Sequence, residues 1–112
     1  MKFKANGLTW EVQSVQRDNE KLKLNGNECL GITYYKNLQI FLDRSLSKEL
    51  FRQTVIHELV HAFAFSFGVH LVANAKTEEP VCDFMGSHLD EIYTTANKIM
   101  AACYEKGGEI KC

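Results

Sequence analysis

Apolar and polar positions alternate along the first third of the chain, which predicts strands. Residues 8–16 set Leu8, Trp10 and Val12 on one side, with a slip near Ser14; this is the period-two pattern of a half-buried strand. Residues 17–27 are polar and contain Asn25-Gly26, a dipeptide that favours a tight turn. Residues 29–35 read as a second strand, with Ile32 and Tyr34 on one face and Thr33 and Tyr35 on the other. After the short polar break Lys36-Asn37, Leu38, Ile40 and Leu42 alternate with Gln39 and Phe41 in a third. Three strands joined by short connections over residues 1–44 predict an antiparallel meander.

From Asp43 the period changes to helical. Ser45 or Ser47 can cap a helix over residues 45–68, with Glu49 in its first turn and Gly68 as its stop. Leu50, Phe51, Val55, Ile56, Leu59, Val60, Phe63, Ala64 and Phe67 cover most of its circumference, so the helix is expected to be buried nearly all round. A second helix is predicted over residues 77–104, capped by Thr77, with Pro80 in the first turn, where the missing N–H costs nothing. Val81, Met85, His88, Ile92, Ala96, Ile99 and Cys103 recur along it at spacings of three and four. Residues 105–112 read as a flexible tail. The fold expected is α+β: a three-stranded antiparallel sheet, then two helices, in a single minimal domain spanning 1–112.

The first helix carries His57-Glu58-Leu59-Val60-His61, an H-E-x-x-H motif. Histidines four apart stand one above the other on a helix face, and zinc accepts imidazole nitrogens at about 2.0–2.1 Å. His57 and His61 are therefore candidate ligands of one Zn2+ ion. Glu58 is rotated roughly 100° from His57, which suits a general base acting on water at the ion. The motif also arises by chance, and a histidine pair on a core helix can simply be hydrogen-bonded in place. The apolar surroundings favour the metal, because polar groups buried there need a partner.

Composition narrows the rest. A chain of 112 residues builds one core, and a formal net charge of -1 with scattered Lys and Arg gives no sign of nucleic-acid binding or of an anionic membrane partner. Residues 1–7 lack an apolar run, so no signal peptide is expected, and residues 59–67 fall far short of the roughly 20 that cross a membrane. These features predict a cytoplasmic protein in which Cys29, Cys82 and Cys103 are free thiols packed as small apolar groups. Cys112, carried on the Gly107-Gly108 tail, could fold back and cap the metal as a thiolate.

A catalytic zinc usually has three protein ligands and one open position. Phe67 stands where a longer histidine motif would need its third histidine, leaving Glu78 and Glu79, 17 and 18 residues past His61, as candidates. Glu78 is in line with the Val81/Met85/His88 stripe, whereas Glu79 lies over Cys82, Asp83 and Gly86, whose small members would admit a close helix approach. Periodicity leaves both open.

Residues 39–43, the H-E-x-x-H helix and Glu79-Pro80-Val81-Cys82-Asp83-Phe84-Met85 together resemble the small phage- and mobile-element-encoded zinc metallopeptidases of the ImmA/IrrE type and their minigluzincin relatives. The resemblance spans roughly residues 30–100. It implies a zincin-like fold, Glu79 as third ligand in the register Glu79/Cys82/Met85, and Glu58 as general base. It further implies a protein or peptide substrate such as a repressor, bound along an exposed sheet edge at residues 38–42. His70, His88, Tyr34, Tyr35 and Tyr93 are candidates for stabilising an oxyanion. Two other functions compete: a zinc-binding, non-catalytic phage regulatory or interaction domain, and a plain α+β domain with incidental histidines.

Overall fold

The computed structural model describes residues 1–69 and 78–104, the side chain of Glu78 excepted. It is an α+β fold with a four-stranded mixed sheet, a two-stranded ribbon and two helices. β1 (Lys2–Ala5) and β2 (Leu8–Val15) form a hairpin whose turn, Asn6-Gly7, has φ of 49° and 80°. Positive φ at both positions matches the twist of the flanking strands, which is why Asn-Gly is favoured there. The chain then makes one 3₁₀ turn (Glu20–Leu22) and a ribbon of β3 (Lys23–Leu24) with β4 (Asn27–Glu28), closed by Asn25-Gly26. β5 (Gly31–Tyr34) and β6 (Gln39–Asp43) complete the large sheet in the order β1-β2-β6-β5.

This corrects the meander. β2 and β6 run parallel, with Val12 opposite Ile40 and Ser14 opposite Leu42, so the sheet is mixed and has four strands. The reason lies in β6, whose Ile40, Phe41 and Leu42 are all buried and whose chain is covered on both faces. Such a strand is driven to the sheet interior. The segment between β2 and β5 is long enough to carry the chain to the far edge, and it buries Leu22 against Val15 and Phe41 on the way. The expectation that residues 38–42 form the sheet edge is overturned with it: the edge strands are β1 and β5.

α1 (Lys48–Ser66) starts at Ser47, whose Oγ accepts from the Leu50 N–H. It ends with Val69 N–H bonded to Ala64 O and Gly68 N–H to Phe65 O, Gly68 having φ of 69°, the paired bonds of a left-handed helix terminus. Asn6 Nδ2 donates to Ser66 O and Trp10 Nε1 to Ser66 Oγ, both at 2.9 Å, so the β1–β2 hairpin holds that end of the helix. α2 (Glu78–Cys103) packs on α1 through Phe84, Ile92, Ala96, Ile99 and Met100, and the principal core lies between the two helices and the sheet. The apolar stripe expected on α2 is present, with Phe84 and Met100 added to it. Cys29 and Cys82 are free as expected, but Cys29 is only half-buried and Cys82 is exposed; Cys103 is packed in the core as expected, but is disulfide-bonded rather than free. The expected Thr77 cap, the connection over residues 70–76, His70, the tail and the Cys112 thiolate lie outside the described residues.

Candidate metal centre

α1 is not buried all round. Phe51, Val55, Leu59, Ala62 and Phe63 are in the core, while Gln53, His57, His61 and Phe65, spaced four apart, form an exposed strip. His57 and His61 therefore face solvent, and the buried polar group of the motif is Glu58, at 5% exposure. The energetic reason given for a metal, that it satisfies buried histidines, is corrected accordingly. The histidines are open to a ligand, and the carboxylate beside them is the group that needs support.

Support comes from β5. Side chains of a strand alternate between faces, and Gly31, Thr33 and then Tyr35 point toward α1. Thr33 Oγ1 donates to Glu58 Oε1 at 2.8 Å and lies 3.3 Å from the Glu58 carbonyl oxygen. Gly31 admits the close approach: a Cβ there would stand 2.8 Å from Thr54 Cγ2 and 3.0 Å from Glu58 Cγ. Glu58 Oε2 is thereby left facing His57, 3.8 Å from Nε2.

The two imidazole rings have centroids 5.0 Å apart at an interplanar angle of 72°. A nitrogen about 2.0–2.1 Å from zinc puts its ring centroid roughly 3.2 Å from the ion, and two rings at a near-tetrahedral angle then stand about 5.2 Å apart. The observed ring separation is close to that value. Glu79 is exposed in the first turn of α2, and among the described residues no three His, Cys, Asp or Glu side chains are gathered into a metal-binding group. Cys82, Asp83 and Gly86 are exposed with it, and a Cβ on Gly86 would meet nothing within 4 Å. The close helix approach invoked for Glu79 is thus absent at that face. Val81, Met85 and His88, the stripe in line with Glu78, are half-buried.

Beside the motif, an open cleft of about 470 Å³ is lined by Cys29, Leu30, Gly31, Leu50, Gln53, Thr54, His57 and Glu58. At the other end of the strip, Tyr35 sets its ring edge-on to His61, with centroids 6.5 Å apart, and packs against Phe65 at 5.0 Å. Partial burial pushes the Tyr35 phenol above its ordinary pKa, and the negative charge of Glu58 adds to the effect. At the end of β6, Asp43 accepts from Ser45 N, Ser45 Oγ and Arg17 Nε at 2.8, 2.6 and 3.2 Å. Burial opposes the ionised form of Asp43, but the Ser45 and Arg17 donors outweigh it and lower the pKa. The turn into α1 is fixed by these contacts. Thr33 and Gly31 were not singled out in the sequence, although the strand reading already put Thr33 and Tyr35 on one face.

The fold and site define an α+β domain in which an H-E-x-x-H helix lies across a mixed sheet with its histidines open to solvent. Comparison with protein-family models, with curated proteins and with solved structures finds no match. Among the described residues no helix is long and apolar enough to cross a membrane.

Proposed function

We propose that the chain is a zinc-dependent metallopeptidase. His57, His61 and a carboxylate from the first turn of α2, Glu79 or Glu78, are its metal ligands, and Glu58 is the general base. One arrangement carries the reading: a buried Glu58, anchored by Thr33, beside an exposed imidazole pair whose 5.0 Å ring separation suits a single ion. When bound, zinc supplies Lewis acidity that polarises a peptide carbonyl and lowers the pKa of water toward roughly 7. Glu58 takes the proton of the attacking water and delivers it to the leaving amine. The edge of β5, unpaired among the described residues, suits an extended peptide held by main-chain hydrogen bonds, and the cleft beside Leu30 and Leu50 suits one of its apolar side chains. The substrate class is protein or peptide, with a repressor in a phage setting, as the family resemblance suggests.

A second reading, a zinc-binding interaction domain that no longer cuts, is favoured by the absence of a third ligand among the described residues. Glu58→Gln separates the two. In a peptidase the variant retains zinc and fold but loses cleavage of a quenched-fluorescent peptide library by about 10²–10⁴-fold; a binding domain shows no cleavage in either form. Glu78→Gln and Glu79→Gln, compared by zinc stoichiometry, identify the third ligand.

A further inference from the structure

Five side chains have the chemistry to stabilise the charge that develops on a peptide carbonyl, and the structure separates them. Tyr34 donates its hydroxyl to Lys21 O at 2.8 Å and packs on Phe41, on the sheet face away from α1. His88 is enclosed by the Phe63, Phe67 and Phe84 rings, with Nδ1 3.2 Å from Glu91 Oε1. Tyr93 lies under the Arg52 guanidinium on the outer face of α2. His70 lies outside the described residues. Tyr35 alone among the described candidates stands beside a motif histidine, His61, and its hydroxyl has no hydrogen-bond partner among the described residues.

Its placement follows from the edge strand. Gly31 lets β5 approach the helix, Thr33 fixes Glu58, and Tyr35 is the next residue on the same face, opposite His61 and Phe65. A peptide that extends the sheet along β5 carries its carbonyls past this ring. Phe65 packs against the ring from one side, and Tyr35 as a whole remains 41% exposed.

We propose that the Tyr35 hydroxyl donates a hydrogen bond to the oxygen of the scissile carbonyl as negative charge builds there, on the side of the substrate opposite Glu58. The phenol keeps its proton throughout; Glu58 carries the proton that moves. A donor aimed at developing charge lowers the barrier more than it strengthens ground-state binding. The assignment rests on the peptidase reading, so its test begins with wild-type protein and Glu58→Gln on the same peptide library.

Tyr35→Phe removes only the hydroxyl and keeps the ring on His61 and Phe65. The expected result is a fall in kcat of about 10²–10³-fold, with KM, zinc stoichiometry and melting temperature unchanged. N-phosphoryl-Leu-Ala, whose tetrahedral phosphoryl oxygens stand in for the charged carbonyl oxygen, should bind the zinc-loaded variant more weakly by a similar factor in calorimetry. Cleavage by the wild type with an unchanged kcat in Tyr35→Phe overturns the role of Tyr35 and leaves the peptidase reading standing. No cleavage by the wild type overturns both.

Discussion

Thr33 Oγ1 donates to Glu58 Oε1 across 2.8 Å, joining the edge strand to the acid of the H-E-x-x-H helix. Glu58 is nearly shielded from water, so this hydroxyl does for one oxygen what solvent does elsewhere. A buried acceptor deprived of its donor costs about 1–3 kcal/mol. Thr33→Val, which keeps the shape and removes the hydroxyl, should lower unfolding stability by that amount in urea titrations. Thr33→Ser should recover most of it, and equal stability of Thr33→Val and the wild type would mean that the bond is not formed.

Gly31 and Gly86 are expected to respond oppositely to alanine. At Gly31 the new methyl meets Thr54 Cγ2 at 2.8 Å and Glu58 Cγ at 3.0 Å, and overpacking of a fitted contact costs about 1–3 kcal/mol. Gly86 is exposed within α2 with open space around it, where alanine is the better helix former by about 0.5–1 kcal/mol. Chemical denaturation of Gly31→Ala and Gly86→Ala should therefore shift the midpoint down in the first and up in the second.

The turn into α1 makes stability depend on acid. Asp43 has a lowered pKa in the folded chain because the Ser45 and Arg17 donors outweigh its burial. A carboxyl depressed on folding stabilises fully above its unfolded pKa of about 3.9, and that contribution is lost as pH falls through the lower folded value. Arg17 is largely exposed, so most of the effect belongs to the Ser45 bonds. Asp43→Asn should be less stable than the wild type by about 1–3 kcal/mol at pH 7. The gap between the two should close as the pH is taken below 4; a constant gap would show that Asp43 acts by shape alone.

Much of this was legible in the sequence, and the losses have physical causes. β2, β5 and both helices follow from periodicity, and β6 from its apolar run, although it is buried on both faces. β1 was missed although Phe3 and Ala5 alternate with lysines and Asn6-Gly7 follows; four residues give period two little weight. The parallel pairing of β2 with β6 could not be read from local pattern, since alternation gives a strand's faces and not its neighbours. The histidines were expected inside because apolar residues cover most of α1, yet one open strip at spacing four is enough to expose both. The same spacing that marks a shared ion also marks the solvent strip, and only the packing against β5 and α2 tells them apart.

Metal binding should stabilise the fold through the open strip itself. A ligand that binds only the folded chain adds RT ln(1 + [L]/Kd), about 2.7 kcal/mol at a hundredfold excess over Kd. Chelated protein should melt at a lower temperature than zinc-loaded protein, and restoring zinc should recover the loss. His57→Ala and His61→Ala should each abolish the zinc-dependent part of the shift. Both side chains are exposed, so neither variant should reduce the stability of the metal-free chain by more than about 0.5 kcal/mol. That contrast separates a ligand from a structural histidine: a structural one would weaken the metal-free chain and leave any response to zinc intact. Equal melting with and without zinc in the wild type would remove the metal, and with it the peptidase, from the account.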